Sequence, residues 1–155
     1  MEGSVFAGQR PRLLLFCQQL NRSMPANPSH PFQKTVLIVE DNQLSQKLLT
    51  DVLEYHGYLI LKTELGEAAL GLARQHRPDL ILMDIELPDI SGMEAARQLK
   101  EDDQTRTIPI IAVTASAMPG DKAQILASGC DAYISKPFDM AEFLKLVECW
   151  TATRT

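Results

Sequence analysis

The sequence lacks any long apolar run, and this absence argues against membrane insertion and export. No apolar segment approaches the roughly 18 residues that a membrane-spanning helix needs. The longest early run, Leu13 to Cys17, is also shorter than the roughly 7 residues of an export signal's apolar region, and no small-residue cleavage site follows it. We therefore expect a cytoplasmic protein without a membrane partner.

Closely spaced cysteine pairs are also missing. The three cysteines, at positions 17, 130 and 149, are far apart and form no CxxC motif. An odd, widely spaced set is a poor basis for a disulfide framework or a zinc site. We expect reduced thiols that pack as small apolar side chains.

The chain has no excess of positive charge. Its formal net charge is −5, and residues 1–33 contribute three arginines against one acid, so the remaining residues carry −7. An acidic domain without a basic stripe is a poor ligand for a polyanion. We therefore expect no nucleic-acid partner.

Two regions differ in their pattern. Residues 1–33 contain four of the nine prolines and no sustained periodicity, which predicts a disordered or weakly helical leader and linker. From residue 34 to about 153 short apolar runs alternate with helical periodicity, and this pattern predicts one domain. The predicted strands are Val36–Val39, Tyr58–Lys62, Leu80–Met83, Ile108–Val113 and Ala132–Ser135.

A predicted helix follows each predicted strand. The first covers Asn42 to Tyr55, the second Leu65 to His76, and the third begins at Ser91; the fourth begins at Pro119 and the fifth near Asp139. Five such units predict a doubly wound, flavodoxin-like α/β fold with a parallel sheet and helices on both faces. Ligands of such sheets bind beyond the carboxyl ends of the strands.

Chemically active side chains follow four of these strands. Glu40 and Asp41 follow the first strand, Asp84 the third, Thr114 the fourth and Lys136 the fifth. We expect these groups to meet at one edge of the sheet. Crowded carboxylates repel one another and raise their own pKa values, and a bound cation relieves this repulsion. Oxygen ligands without a nearby His or Cys favour Mg²⁺.

Each of these residues also has an ordinary structural interpretation. Acids favour helix starts, Asp favours turns, threonine is comfortable in strands, and lysine is usually solvated. The functional interpretation rests on their joint occurrence at carboxyl ends. With a metal to neutralise and align the incoming group, a carboxylate there can attack phosphorus and form an acyl phosphate.

Residues 34–150 resemble the receiver domain of two-component response regulators, the CheY-like fold. The resemblance is carried by Leu37 to Asn42, Leu82 to Pro88, Ser91-Gly92, Val113 to Ala115 and Ser135 to Pro137. Separations of 43, 30 and 22 residues between Asp41, Asp84, Thr114 and Lys136 also fit that family. The segments 79–85 and 129–137 are most similar to the DivK group of cell-cycle and polarity regulators.

The resemblance implies a strand order of 2-1-3-4-5 and a role for each residue. Asp84 would accept a phosphoryl group from a phosphohistidine, while Thr114 and Lys136 hold the phosphoryl oxygens. Mg²⁺ would be bound by Asp41, Asp84 and the backbone carbonyl of Glu86, with Glu40 assisting through water. Tyr133 matches the switch aromatic of the family, and the bond between Lys136 and Pro137 matches a peptide that is usually cis.

The resemblance also implies partners and an activity. The chain would be a stand-alone receiver that catalyses only its own phosphorylation and dephosphorylation. Its partners would be a histidine kinase or histidine phosphotransferase and a downstream protein that reads the surface of the fourth helix, fifth strand and fifth helix. The protein would be a monomer that can dimerise when phosphorylated.

Three other functions compete with this interpretation. An aspartate-nucleophile phosphohydrolase of the haloacid dehalogenase type normally has a second Asp two positions after the nucleophile, where this chain has Glu86. A flavodoxin-like cofactor binder needs a Ser/Thr-rich loop after the first strand, where Glu40 and Asp41 would repel phosphate. A pseudo-receiver that only docks partners typically lacks an acid or the lysine, and this chain keeps both.

Overall fold

Five strands and five helices alternate in the part of the chain that the structure, a computed structural model, describes, which is residues 34–115 and 119–152. The strands are β1 (Thr35–Val39), β2 (Leu59–Thr63), β3 (Leu80–Asp84), β4 (Ile110–Thr114) and β5 (Ala132–Ser135). The helices are α1 (Gln43–Tyr55), α2 (Gly66–His76), α3 (Gly92–Glu101), α4 (Pro119–Ala127) and α5 (Met140–Ala152). The predicted leader, residues 1–33, lies outside the described residues.

All four strand pairs are parallel, and the order β2-β1-β3-β4-β5 confirms the predicted topology. Side chains alternate across the sheet, because successive residues of a strand point to opposite faces. Val36 and Ile38 therefore pack on one face against α1 and α5, whereas Leu37 and Val39 pack on the other against α2, α3 and α4. Both faces are covered, which explains why β3 and β4 consist almost entirely of apolar residues.

Helix ends follow the expected local chemistry. The side chain of Asn42 accepts a hydrogen bond from the Ser45 amide at the start of α1. The Ser91 hydroxyl accepts bonds from the amides of Met93 and Glu94 at the start of α3, as the sequence predicts. Gly57, the expected residue after α1, has a φ of 92°, a conformation that glycine adopts without strain. These ends fix where each chain segment turns back toward the sheet.

Three further observations concern the remaining expectations. The peptide between Lys136 and Pro137 is cis, as the resemblance implies. The expectation of reduced thiols is wrong for Cys149, which is disulfide-bonded, whereas Cys130 is a free, buried thiol. Within residues 34–115 and 119–152, no helix combines the length and apolar composition that crossing a membrane requires.

Candidate functional site at the carboxyl edge of the sheet

The predicted carboxylates lie together at the carboxyl edge of the sheet. Asp84 is the last residue of β3, and Glu40 and Asp41 directly follow β1, which is the neighbouring strand. One carboxylate oxygen from each of the three lies within 4.8 Å of the others. Glu40 and Asp84 are buried, whereas Asp41 is exposed to solvent. The cluster therefore has an open side and a closed side.

One ammonium group faces this cluster. The Lys136 ammonium donates a hydrogen bond to Oε1 of Glu40 at 3.1 Å. Among the described residues, the ion pair of Lys136 is with Glu40. Three carboxylates with one ammonium leave the site rich in negative charge.

The pKa of the Asp84 carboxyl is raised in this site. Its burial raises the pKa of the carboxyl, the nearby Glu40 carboxylate raises it further, and the pKa reaches about 7 from an ordinary 3.8. The Lys136 ammonium and the Glu86 amide, which donates to Oδ1 of Asp84 at 3.3 Å, lower this pKa but do not reverse the shift. The pKa of Asp84 is raised as predicted, but burial contributes more to the rise than the carboxylate repulsion on which the prediction rested.

The remaining predicted residues lie around the cluster. Thr114 is the buried last residue of β4, and its carbonyl accepts a hydrogen bond from the Lys136 amide at 2.7 Å. Glu86 is an exposed residue of the loop after β3 and lies outside the three-carboxylate cluster. Tyr133 is buried in β5 on the α4 side of the sheet, with the Lys122 ammonium 5.6 Å from its ring centroid.

Two residues to which sequence reasoning assigned no role, Gln46 and Gly92, help to build this edge. Gln46, on the first turns of α1, donates from Nε2 to the carbonyls of Glu40 at 2.9 Å and Thr63 at 3.3 Å, so it ties the acidic turn to β2. Gly92 approaches the backbone of Asp84 so closely that a Cβ there would lie 2.1 Å from the Asp84 carbonyl oxygen. A polar residue on the sheet side of a helix and a glycine at a helix start were the available signals.

The donor set fits Mg²⁺. All three side chains offer oxygen, the ligand type that this hard cation takes. The three oxygens lie within 4.8 Å of one another, so all of them can lie near one cation. A dication would also neutralise the repulsion that raises the pKa of Asp84.

A parallel sheet in the order β2-β1-β3-β4-β5 with an acidic cluster at its carboxyl edge is typical of receiver-like α/β domains. Comparison with known proteins gives the family. Residues 36–148 match the response regulator receiver domain. The chain therefore belongs to the response regulator receiver family.

Individual relatives agree with this assignment. The chain is 53% identical over 117 residues to the polar-differentiation response regulator DivK of Brucella anthropi, a match that covers 76% of this chain and 95% of that protein. A sensor histidine kinase receiver domain from Pseudomonas aeruginosa, with magnesium coordinated in its active-site cleft, is 34% identical with a TM-score of 0.73, covering 79% of this chain and all of that chain. A third match is a chain of the co-crystal structure of the Saccharomyces cerevisiae phosphotransfer protein Ypd1 with the receiver domain of the response regulator Ssk1. It is 32% identical with a TM-score of 0.72, and the match covers 77% of this chain and 90% of that chain.

Proposed function

We propose that this protein is a cytoplasmic response regulator of a two-component phosphorelay, in which Asp84 of the receiver domain accepts a phosphoryl group. The single observation that carries the proposal is the buried Asp84 carboxylate at a sheet edge that holds two more carboxylates and one ammonium. An ionised Asp84 oxygen attacks the phosphorus of a phosphohistidine. The phosphorus–nitrogen bond breaks, the imidazole leaves with the bonding electrons and takes up a proton, and an acyl phosphate forms.

Each neighbouring residue has a defined task in this proposal. Asp41, Asp84 and the Glu86 carbonyl would hold Mg²⁺, with Glu40 acting through water. When bound, Mg²⁺ neutralises charge on the transferred group. Thr114 donates its hydroxyl, and Lys136 its ammonium, to phosphoryl oxygens. The Lys136–Glu40 pair at 3.1 Å supports this task because it keeps the ammonium beside the nucleophile.

The signal would leave the site through Thr114 and Tyr133. Phosphorylation draws Thr114 toward the phosphoryl group, the already buried side chain of Tyr133 repacks with it, and the surface of α4, β5 and α5 changes shape for a downstream protein. The phosphodonor would be a histidine kinase or histidine phosphotransferase, as in the similar Ypd1–Ssk1 complex. The protein would act as a monomer, with dimerisation on phosphorylation, and would catalyse only its own phosphorylation and dephosphorylation.

A small phosphodonor tests this function directly. The protein is incubated with acetyl phosphate, with and without Mg²⁺, and its intact mass is measured. We expect a labile adduct of one phosphoryl group that requires Mg²⁺ and is absent in Asp84→Asn. No adduct in the wild-type protein would favour a pseudo-receiver, and continuous turnover of phosphomonoesters would favour a phosphohydrolase.

A further inference from the structure

Helix α2 is capped by a residue from another part of the chain. Its own N-cap residue, Leu65, has an apolar side chain and makes no side-chain cap bond. Asp89 takes this place: its Oδ1 accepts from the Gly66 amide and its Oδ2 from the Glu67 amide, both at 2.9 Å. Amides at a helix start need such acceptors. One carboxylate therefore joins the start of α2 to the loop that follows β3.

That loop is the segment that carries a proposed metal ligand. It runs from Ile85 to Ser91 and includes Glu86, whose amide donates to the Asp84 carboxylate at 3.3 Å. The Gly92 amide donates to the Ile85 carbonyl at 2.8 Å and closes the loop at its base. Asp89 is the residue that fixes its outer part.

Packing brings the same two segments together. A Cβ on Gly66 would lie 2.8 Å from Cγ1 of Ile90 and 3.2 Å from Cδ1 of Leu87, so the loop rests directly on the first turn of α2. Ile85, Leu87 and Ile90 are partly buried against the core, whereas Glu86, Pro88 and Asp89 are exposed. The hydrogen bonds of Asp89 therefore add to the packing of the loop's apolar side chains and fix its exposed part.

We propose that Asp89 is a positioning residue that sets the affinity for Mg²⁺ by holding the loop after β3 against α2. The inference rests on the proposed function, because it concerns the same metal site. Mg²⁺ demands near-ideal octahedral geometry, so a carbonyl ligand on a loose loop binds it poorly. Asp89 itself touches neither the metal nor the phosphoryl group. By linkage, Mg²⁺ binding in turn stabilises the first turn of α2.

Calorimetric Mg²⁺ titrations of four variants test this assignment. We expect Asp89→Ala to weaken Mg²⁺ binding about tenfold, as outer-shell changes typically do, and Asp103→Ala, which removes an exposed acid elsewhere, to leave it unchanged. Asp84→Asn serves as the site control. The fourth variant adds Leu65→Ser to Asp89→Ala and returns a local cap to α2 without restoring the link to the loop.

The double variant separates positioning from simple helix capping. We expect it to recover the melting temperature lost in Asp89→Ala but not the Mg²⁺ affinity. Amide exchange gives a second measure: Mg²⁺ should slow exchange at Gly66 and Glu67 in the wild type and leave it unchanged in Asp89→Ala. Unchanged affinity in Asp89→Ala, or affinity restored by Leu65→Ser, would overturn the assignment of Asp89 alone. Equal, negligible binding by the wild type and Asp84→Asn would overturn the proposed function as well.

Discussion

The two edges of the sheet use the same kinds of residue in opposite ways. At the carboxyl edge, the carboxylates of Glu40, Asp41 and Asp84 share one ammonium. At the opposite edge, Asp131 alone satisfies two donors, because its Oδ2 accepts from the Lys100 ammonium and from the Ile110 amide, both at 2.9 Å. At the opposite edge the Asp131 carboxylate is paired with an ammonium, whereas the described residues of the carboxyl edge hold more carboxylates than ammonium groups.

The opposite edge also gathers backbone acceptors around its cation. The Lys100 ammonium donates to the carbonyls of Ile108 at 2.9 Å and Arg106 at 3.2 Å in addition to Asp131. Its stem lies under Gly129, where a Cβ would lie 2.7 Å from Cγ of Lys100. A charged side chain whose hydrogen-bond partners all lie within the protein stabilises the fold. A charged side chain in excess of its partners is available to bind a ligand and to react. The comparison thus separates residues that stabilise the fold from residues to which we assign the proposed chemistry.

The largest expected effect belongs to the matched edge. Asp131→Ala should lower the free energy of unfolding by about 2 to 4 kcal/mol, because it removes the acceptor of the Ile110 amide and the counter-charge of Lys100 in a site where the two charged side chains are only 21% and 18% exposed. Urea denaturation measures the loss. Mg²⁺-dependent phosphorylation per folded molecule should stay unchanged; a selective loss of phosphorylation without a loss of stability would contradict the division between the edges.

Close packing at the carboxyl edge gives the next effect. Gly92→Ala places a Cβ against the Asp84 carbonyl oxygen and 2.7 Å from Cα of Ile85, so the backbone must move, at a cost of about 2 kcal/mol or more. Mg²⁺ affinity should fall with it. Gly71→Ala is the matched control, since nothing lies within 4 Å of a Cβ there, and it should gain about 0.5 to 1 kcal/mol from helix propensity. Equal stability of the two variants would show that the close approach at Gly92 is unimportant.

Removing the excess charge should stabilise the metal-free protein. At pH 8 without Mg²⁺, Asp84→Asn should raise the free energy of unfolding by about 1 to 3 kcal/mol, because a carboxyl whose pKa is about 7 when folded and 3.8 in its ordinary state costs free energy to ionise. Between pH 3.8 and about 7, the Asp84 carboxyl of the wild type keeps its proton in the folded state and has lost it in the unfolded state. Wild-type stability should therefore fall as the pH rises from about 4 to 7.

Repeating the measurement at pH 4 provides the control for this prediction. At pH 4 the wild-type Asp84 is already protonated in the folded protein, so the advantage of Asp84→Asn should vanish there, and Mg²⁺ at pH 8 should reduce it by stabilising the wild type. A variant that is less stable than the wild type at pH 8 would mean that the cluster holds its charge without strain.

Sequence reasoning recovered the parts of this molecule that depend on local pattern. Apolar runs and turn residues predicted all five strands, the resemblance to receiver domains implied the sheet order, and strand ends predicted the meeting of Asp41, Asp84 and Lys136. Strand bounds shifted by one or two residues, as at β4, because Ile108 is buried without being in the sheet. Contacts between distant segments were beyond reach: the capping of α2 by Asp89 and the pairing of Lys136 with Glu40 depend on how loops pack in space.

The pKa of Asp84, measured by carbon NMR of the carboxyl group with and without Mg²⁺, tests the central claim that the carboxyl edge holds uncompensated charge for a cation. Without metal, the carboxyl should titrate near pH 7; with saturating Mg²⁺, it should stay ionised across the neutral range and well below it. Titration near the ordinary value of 3.8 in the metal-free protein, or a curve that Mg²⁺ does not move, would contradict it.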